Sequence, residues 1–166
     1  DISFSVPEIT GVWPALWMMP EKSVYGNWPR SGEIDIVETI NEKSDELVTT
    51  IHYGHDYHRQ ISKTTFLNQL TKLSNPIDHN KISLIWEDKY FEWFLTDQLV
   101  FKVNFNEVEN LEPNPFLEEF YLLINVAVGG NWPGTPNSTM YCNSRKSCPD
   151  VKKLIVDYIA YYEKIN

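Results

Sequence analysis

The chain has 166 residues, 42% of them hydrophobic and 14% aromatic, so it is long enough to bury one sizeable core. Its 14 Lys and Arg residues against 23 Asp and Glu residues give a formal net charge of -9, which disfavours nucleic acid and favours neutral or cationic partners. The longest apolar stretches fall far short of the roughly 18 residues of a membrane span. The composition predicts a single globular domain over residues 1–166.

The patterns that predict secondary structure are mostly those of β-strands. Residues 82–105 carry aromatic and β-branched runs broken by short polar stretches, as in consecutive strands joined by tight turns. The continuous apolar run 120–128 predicts a strand with both faces covered. The tail LIVDYIAYYE alternates with period two and predicts a final strand, with a helix as the alternative. FLNQLTKL and FLEEF predict short helical turns, and many strands with few helices predict an all-β fold, an antiparallel sandwich or barrel.

The stretch GEIDIVE places three carboxylates on one of these predicted strands. Alternation puts Glu33 and Asp35 on one face, whereas strict alternation would turn Glu38 into the core, where an unpaired carboxylate is costly or takes up a proton. A β-bulge at Ile36 or Val37 returns Glu38 to the face of the other two acids. The Cα atoms of Glu33 and Glu38 are then about four strand steps apart, which is roughly 13 Å at ~3.3 Å per residue. If each side chain reaches ~4 Å towards the other, the two carboxyls lie about 5 Å apart, as in retaining glycosidases. A solvated strand face is the alternative.

Tryptophans cluster around this motif in the sequence. Trp17 in GVWPALWMMP, Trp28 in GNWPRSGE and Trp132 in GGNWPG lie near proline, glycine or asparagine, where packing alone does not require a large ring. Flat apolar rings with one polar edge suit the C–H faces of sugars. For Trp13 and the two tryptophans of residues 82–105, which lie on apolar runs, burial in the core is an equally good interpretation.

Four blocks, WPALWMMP, NWPRSGEIDIVE, IHYG and INVAVGGNWPG, follow one another and together resemble glycoside hydrolase family 16, in its laminarinase branch of endo-1,3-β-glucanases. The resemblance covers nearly the whole chain. It implies a concanavalin-like jelly roll, endo-acting hydrolysis of 1,3-β-glucan with retention of configuration, and no cofactor for the chemistry. It makes Glu33 the nucleophile and Glu38 the general acid/base. Asp35 would hydrogen-bond Glu33 and, as a nearby negative charge, help keep Glu38 protonated.

The resemblance also implies residues that bind the polysaccharide. Trp17 and Trp28 match the tryptophans that stack on sugars, and Trp132 matches another at the rim of the cleft. His52, in IHYG, matches a histidine beside the catalytic strand, placed to hydrogen-bond the acid/base or the sugar. Weaker candidates for polar contacts in the groove are Asn125 and Arg30.

Two features depart from the family pattern. Members usually have a longer part before the GVWPALW block, which supplies several strands and part of the cleft wall. Because the chain starts at Asp1 without an initiator Met or a signal region, we expect a processed or truncated piece that lacks N-terminal strands. Either another segment or chain supplies these strands, or the sandwich is incomplete and has exposed edges. In the family, an aspartate matching Asp157 joins N-terminal ligands to bind a structural calcium ion, so Asp157 is the candidate metal ligand. Without the N-terminal ligands the site would be incomplete, and a solvated Asp157 is the alternative.

Three further patterns bear on localisation and metals. Cys142 and Cys148 could form a disulfide or be two unrelated thiols, and Asn137 begins a glycosylation acceptor pattern. Together they favour a secreted protein. The histidines of HYGHDYH are three residues apart, a spacing that is not expected to bring their rings together on a zinc ion from a strand or loop.

Two other functions fit the same fold. Animal relatives of the family include non-catalytic β-glucan-binding proteins that have lost the catalytic glutamates, whereas this chain has all three acids. A galactan hydrolase acting on agar or carrageenan is the other alternative. Sulfated galactans call for basic residues along the groove, and Arg30 alone lies close to the motif. Transglycosylation by the same two-step chemistry is a further open outcome.

Overall fold

Two five-stranded antiparallel sheets form a β-sandwich in the computed structural model, which describes residues 1–7, 9–40, 45–70, 80–136 and 153–164. This confirms the predicted all-β sandwich. The strands are β1 (Ile2–Ser5), β2 (Val12–Pro20), β3 (Glu33–Glu38), β4 (Glu46–Tyr53), β5 (Arg59–Phe66), β6 (Asn80–Glu87), β7 (Tyr90–Leu95), β8 (Gln98–Asn104), β9 (Phe120–Val128) and β10 (Ile155–Ile159). One sheet has the order β10-β1-β6-β7-β8 and the other has the order β5-β4-β3-β2-β9.

The core lies between the two sheets and is rich in aromatic side chains. Phe91 and Trp93 of β7 are fully buried, and Ile34 of β3 and Ile51 of β4 meet them from the other sheet. The two isoleucines alternate with polar residues that point away from the core, because successive side chains of a strand leave opposite faces. The sheet containing β3 therefore turns its polar face outward and its aliphatic face inward.

Strand β3 contains the predicted β-bulge. In the pairing with β4, Asp35 lies opposite Thr50 and Glu38 lies opposite Val48, so three steps on β3 match two steps on β4. In the pairing with β2 the register shifts at the same place. Ile36 and Val37 are both buried, at 5% and 2% exposure. The extra residue lets two consecutive apolar side chains enter the core and returns Glu38 to the polar face.

The predicted hairpins and short turns are present. Strands β6, β7 and β8 form consecutive hairpins. Thr96 and Asp97 have φ angles of 45° and 67°, as a type I′ turn between β7 and β8 requires. Short 3-10 helices occupy Leu67–Gln69 and Pro115–Leu117, where helical turns were predicted, and a third occupies Phe105–Glu107. No helix in the described part of the chain is long and apolar enough to cross a membrane.

The predictions for the end of the chain are met in part. The final strand is present as β10, at Ile155–Ile159, and it is shorter than the alternating pattern suggested. Cys142, Cys148 and the acceptor pattern at Asn137 lie outside the described residues, so the disulfide and glycosylation stay predictions.

The prediction that both faces of residues 120–128 are covered is wrong. The run does form β9, but each of its side chains is half-buried or exposed. The physical reason is position, because β9 lies at the edge of its sheet and pairs with β2 alone among the described strands. Three apolar side chains of β9 are exposed on the face away from the polar side of the sheet. They are Ile124 (40% exposed), Val126 (36%) and Val128 (59%), which lie opposite Leu16, Pro14 and Val12 of β2.

Replacement of Phe116 by alanine tests the aromatic core. Phe116 is fully buried, and its ring lies 5.3 Å from that of Phe91 and 5.8 Å from that of Phe105. We expect Phe116→Ala to lower the free energy of unfolding by about 3–5 kcal/mol, because it leaves a cavity between the sheets. The neighbouring Leu117 is 59% exposed, and Leu117→Ala should change stability by less than about 0.5 kcal/mol. Denaturant midpoints compare the two, and equal losses would contradict this packing.

Candidate active site

A groove crosses the outer, polar face of the sheet that contains β3. It encloses about 160 Å³ and is formed by alternate residues of three neighbouring strands, β3, β2 and β9. Because side chains at spacing two share a face of a strand, each strand contributes a row to its floor. The residues that line it are Glu33, Asp35 and Glu38 on β3, Trp13, Ala15 and Trp17 on β2, and Asn125 and Ala127 on β9.

Each of the two glutamates in the groove accepts a hydrogen bond from a tryptophan. Trp28 Nε1 donates to Glu33 Oε2, and Trp13 Nε1 donates to Glu38 Oε1 at 2.8 Å. An indole N–H is a donor without acceptor capacity, so each bond fixes a carboxyl oxygen and favours the ionised form of its partner. The two carboxyls are thus held at opposite ends of the bulged strand, and Glu33 is also hydrogen-bonded to Asp35.

Asp35 lies between the two glutamates and is 2% exposed. His52 Nε2, from the neighbouring strand β4, is 3.0 Å from Asp35 Oδ2, but Oδ2 has no hydrogen-bond partner among the described residues. The contact is therefore close without having the geometry of a hydrogen bond. His52 also lies directly opposite Glu33 in the strand pairing. The structure thus places His52 beside Asp35 and Glu33, whereas the sequence suggested the acid/base or the sugar as its partner.

A second histidine, His58, joins this group from the hairpin between β4 and β5. His52 Nδ1 and His58 Nε2 are 2.8 Å apart, and the His58 ring lies 5.0 Å from that of His52 and 4.7 Å from that of Trp28. The expectation that the HYGHDYH histidines do not come together is therefore wrong for these two. The hairpin turns back at Gly54, which has a φ of 127°. A side chain at this position would place its Cβ only 2.1 Å from Tyr57 O, so only glycine fits.

Burial raises the pKa values of the three carboxyls in the groove. It raises the pKa of Glu38 to about 8, with the charge of Asp35 adding to the rise and the Trp13 hydrogen bond opposing it. It raises the pKa of Asp35 to about 7. The pKa of Glu33 is also raised, by burial and then by the charge of Asp35, while His52 and Trp28 act in the opposite direction. Burial is thus the larger cause of the Glu38 shift, ahead of the Asp35 charge that the sequence suggested.

Burial also determines the protonation of His52. Burial lowers the pKa of His52, and the charges of Glu33 and Glu38 only partly restore it. At neutral pH the imidazole is therefore neutral and has one nitrogen with a free lone pair. Glu33 and Asp35 also act on each other, because the charge of Asp35 raises the pKa of Glu33 and the hydrogen bond between the two carboxyls lowers the pKa of Asp35.

The remaining predicted binding residues are distributed around the groove. Trp17 Nε1 donates to Asn125 Oδ1 at 2.7 Å, and both residues line the groove. Trp132, which is 39% exposed, packs edge-on against Trp13 with ring centroids 4.9 Å apart. Arg30 is exposed in the turn before β3 and is not among the residues that line the groove.

Asp157, the predicted calcium ligand, lies on the exposed strand β10, which belongs to the sheet that does not form the groove. Its Oδ2 accepts a hydrogen bond from Ser3 Oγ at 2.9 Å. Calcium takes six to eight oxygen ligands, and one carboxylate with one hydroxyl does not supply such a set. Calcium at Asp157 stays a prediction.

Two residues of the site were not identified from the sequence. Trp13 lies on an apolar run, where burial was an equal interpretation, but its spacing of four from Trp17 with Ala15 between them is the signal that all three share the groove face. His58 follows a glycine turn, and the signal was the pairing of IHYG with the next strand, which brings His58 back towards His52.

Comparisons with known proteins identify the class of this fold and site. A family model described as "XgeA-like, catalytic GH16 domain" matches residues 1–84, which is half of the chain. The chain therefore belongs to glycoside hydrolase family 16. Within the family it is laminarinase-like, as the following relatives and the solved structure indicate.

Two relatives and one solved structure give the extent of the similarity. The chain is 34% identical to glucan endo-1,3-beta-glucosidase A1 of Niallia circulans, over 99% of this chain and 24% of that protein. It is 34% identical to a glucan endo-1,3-beta-glucosidase of Cryptopygus antarcticus, over 78% of this chain and 49% of that protein. The laminarinase catalytic domain of Thermotoga maritima MSB8 superposes with a TM-score of 0.72 at 30% identity, over 85% of this chain and 57% of that chain. The chain thus spans half or less of these two relatives' length.

The raised carboxyl pKa values make stability depend on pH. A native carboxyl with a pKa above its ordinary value holds a proton that the unfolded chain releases, so between pH 4.5 and about 8 the native state binds more protons at Glu38. The free energy of unfolding should therefore fall as pH rises through this range. Glu38→Gln, which stays neutral, should make that slope shallower, as measured by denaturant unfolding at several pH values.

The matched control is Glu119→Gln, which changes an exposed glutamate outside the groove. This variant should keep the slope of the parent protein. An unchanged slope in Glu38→Gln would show that the Glu38 carboxyl is ionised at neutral pH in the native state.

Proposed function

We propose that this protein is an endo-acting retaining glycoside hydrolase that cleaves 1,3-β-glucan, with Glu33 as nucleophile and Glu38 as general acid/base. The observation that carries the proposal is the bulged strand β3, which faces both glutamates and Asp35 into one groove. The pKa of Glu38, raised to about 8, supports its role as the acid that is protonated at neutral pH. The laminarinase-like relatives support 1,3-β-glucan as the substrate.

The first step forms a covalent glycosyl-enzyme intermediate. Glu38 gives its proton to the glycosidic oxygen while a Glu33 oxygen attacks the anomeric carbon, and the bond from that carbon to the leaving sugar breaks. In the second step the Glu38 carboxylate takes a proton from water, and the resulting hydroxide oxygen bonds to the anomeric carbon as Glu33 leaves. Two inversions give net retention, and Glu38 ends the cycle protonated. When a sugar hydroxyl replaces water, the same intermediate gives transglycosylation.

The surrounding residues would adjust the charges of the two glutamates. The hydrogen bond from Trp28 favours ionised Glu33, which a nucleophile must be. Asp35, whose pKa is raised to about 7, would hydrogen-bond Glu33 and help to hold its carboxyl in place. The charge of Asp35 would also help to keep Glu38 protonated for the first step, because it raises the pKa of Glu38.

The substrate would lie along the groove as a neutral polysaccharide. Trp17, Trp28 and Trp132 present indole faces or edges at the groove and its rim, which suits the apolar faces of glucose units. Asn125 would bond sugar hydroxyls through its amide, since its carbonyl is already held by Trp17. Arg30 lies in the turn before β3 and outside the groove lining. It would contact a polysaccharide long enough to extend beyond the groove. The net charge of -9 is consistent with an uncharged glucan.

Further strands from another segment or chain would complete the sandwich. Ile124, Val126 and Val128 of β9 present exposed apolar side chains on the face away from the groove, at the edge of the sheet. An uncovered apolar edge of this kind favours an added strand. The chain spans 57% of the laminarinase catalytic domain that it resembles, so that neighbour has further residues available for such strands. We therefore treat residues 1–166 as one part of a catalytic domain, and secretion as its proposed localisation.

The alternative functions make different predictions for the same site. A non-catalytic β-glucan-binding protein would bind laminarin without releasing products. A galactan hydrolase would act on agarose and leave laminarin intact. The three acids in one groove favour hydrolysis over binding alone, and the groove-lining residues include no Lys or Arg that would suit a sulfated galactan.

Product analysis tests the substrate and the stereochemistry together. The chain, with and without the additional upstream strands of its relatives, is incubated with laminarin, lichenan and agarose. We expect internal cleavage of laminarin, with the β-anomer of the new reducing end appearing first in proton NMR and the α-anomer following by mutarotation. Release of the α-anomer first would contradict the retaining mechanism, and binding without cleavage in both forms would favour the recognition protein.

Azide rescue distinguishes the roles of the two glutamates. With an aryl β-laminaribioside as substrate, Glu33→Ala should lose at least about 10³-fold in rate and regain part of it in azide as the α-glycosyl azide, because azide attacks from the vacated face. Glu38→Ala is the matched control and should give the β-glycosyl azide, since azide then attacks the intermediate on Glu33. The same anomer from both variants would contradict the assignment.

A further inference from the structure

Oδ2 of Asp35 is an unusual polar atom of the described structure. Asp35 is 2% exposed, and Oδ2 has no hydrogen-bond partner among the described residues, although it points at His52. A buried carboxylate oxygen without a partner is costly, because it has lost its water and gained nothing in return. The nearest group, His52 Nε2 at 3.0 Å, does not have hydrogen-bond geometry. A ligand that accepts electron pairs from both atoms would remove this cost.

The three side chains at this point have the chemistry of a metal site. Glu33, Asp35 and His52 each offer one donor atom, and these atoms lie within 4.8 Å of one another. Tetrahedral zinc ligands on bonds of about 2.1 Å lie about 3.4 Å apart, so His52 Nε2 and Asp35 Oδ2, now 3.0 Å apart, would have to separate by only a few tenths of an ångström. Glu33 is only half-buried, so its carboxyl can move the ~1 Å that brings it to the same ion.

His58 orients the histidine of this group from outside. Its Nε2 lies 2.8 Å from Nδ1 of His52, and a tautomer with the proton on Nδ1 donates to it and leaves the Nε2 lone pair facing Asp35. Metal-binding histidines nearly always have their other ring nitrogen bonded in this way. The ring stacking of His58 between His52 and Trp28 holds the pair in place.

We propose that Glu33, Asp35 and His52 form a binding site for a divalent transition metal of the Zn²⁺ class, oriented by His58, and that the metal inhibits the enzyme by occupying the nucleophile. One imidazole with two carboxylates suits zinc and neighbouring metals, whereas calcium prefers oxygen ligands alone. Metal binding here excludes attack by Glu33 on a sugar. The inhibition rests on the proposed function, whereas the binding site does not.

Calorimetric titration with ZnCl₂ in a metal-free, non-chelating buffer at neutral pH tests binding. We expect one site per chain, and His52→Gln should weaken it at least tenfold because a ligand is lost. His58→Gln should weaken it by about tenfold, since loss of an orienting partner typically costs 10–100-fold. His55→Gln is the matched control, because His55 is an exposed histidine of the same hairpin outside the cluster, and it should leave the affinity unchanged.

Circular dichroism and unfolding curves confirm that each variant is folded before its affinity is compared. Equal weakening in His55→Gln and His52→Gln, or the absence of a saturable site, would overturn the proposal and indicate adventitious binding to surface imidazoles. Glu33→Gln gives a second route to the same test and should also weaken zinc binding at least tenfold.

Laminarin hydrolysis, measured in parallel, separates this inference from the proposed function. Zinc should inhibit hydrolysis at the concentration that saturates the site, and a chelator should restore it. Zinc binding by a protein that hydrolyses no glucan would leave the metal site standing and contradict the proposed function. Hydrolysis that zinc does not affect, by a protein that binds no zinc, would contradict the metal site and leave the proposed function standing.

Discussion

The extra residue in strand β3 is the constraint on which the site depends. With it, Ile36 and Val37 both enter the core and Glu38 returns to the face of Glu33 and Asp35. Without it, strict alternation would place one carboxyl among aliphatic side chains or one aliphatic side chain in the groove. The bulge is held from both sides, because the register shifts against β2 and against β4 at the same place. A buried apolar strand can therefore carry three acids on a single face.

The bulge also sets the electrostatics of the groove. Three carboxyls on one half-closed face lose water together, and each raises the cost of ionising its neighbours. Neutral groups surround these carboxyls: Trp13 donates a hydrogen bond to Glu38, Trp28 donates one to Glu33, and the imidazole of His52 is neutral. Burial nevertheless remains the largest cause of the raised pKa values of both glutamates. The same loss of water leaves Oδ2 of Asp35 without a hydrogen-bond partner among the described residues, and the proposed metal site depends on this atom.

Periodicity and turn chemistry made much of this predictable from the sequence. The hairpins, the final strand, the sandwich and the bulge follow from local patterns, and the acids were identified from their spacing. The position of β9 at a sheet edge could not be predicted, because exposure of an apolar strand depends on its neighbours rather than on its own residues. Trp13 and His58 were missed for a related reason, since only the strand pairing decides which side chains meet.

A carbon-13 NMR titration of the glutamate side-chain carboxyls tests most directly whether β3 holds its acids in one buried group. Resonances are assigned with Glu33→Gln and Glu38→Gln. The structure predicts that one carboxyl, assigned to Glu38, titrates near pH 8, well above the exposed glutamates, and that Glu33→Gln shifts its midpoint. A Glu38 carboxyl that titrates at its ordinary value, unaffected by the change at Glu33, would contradict the account.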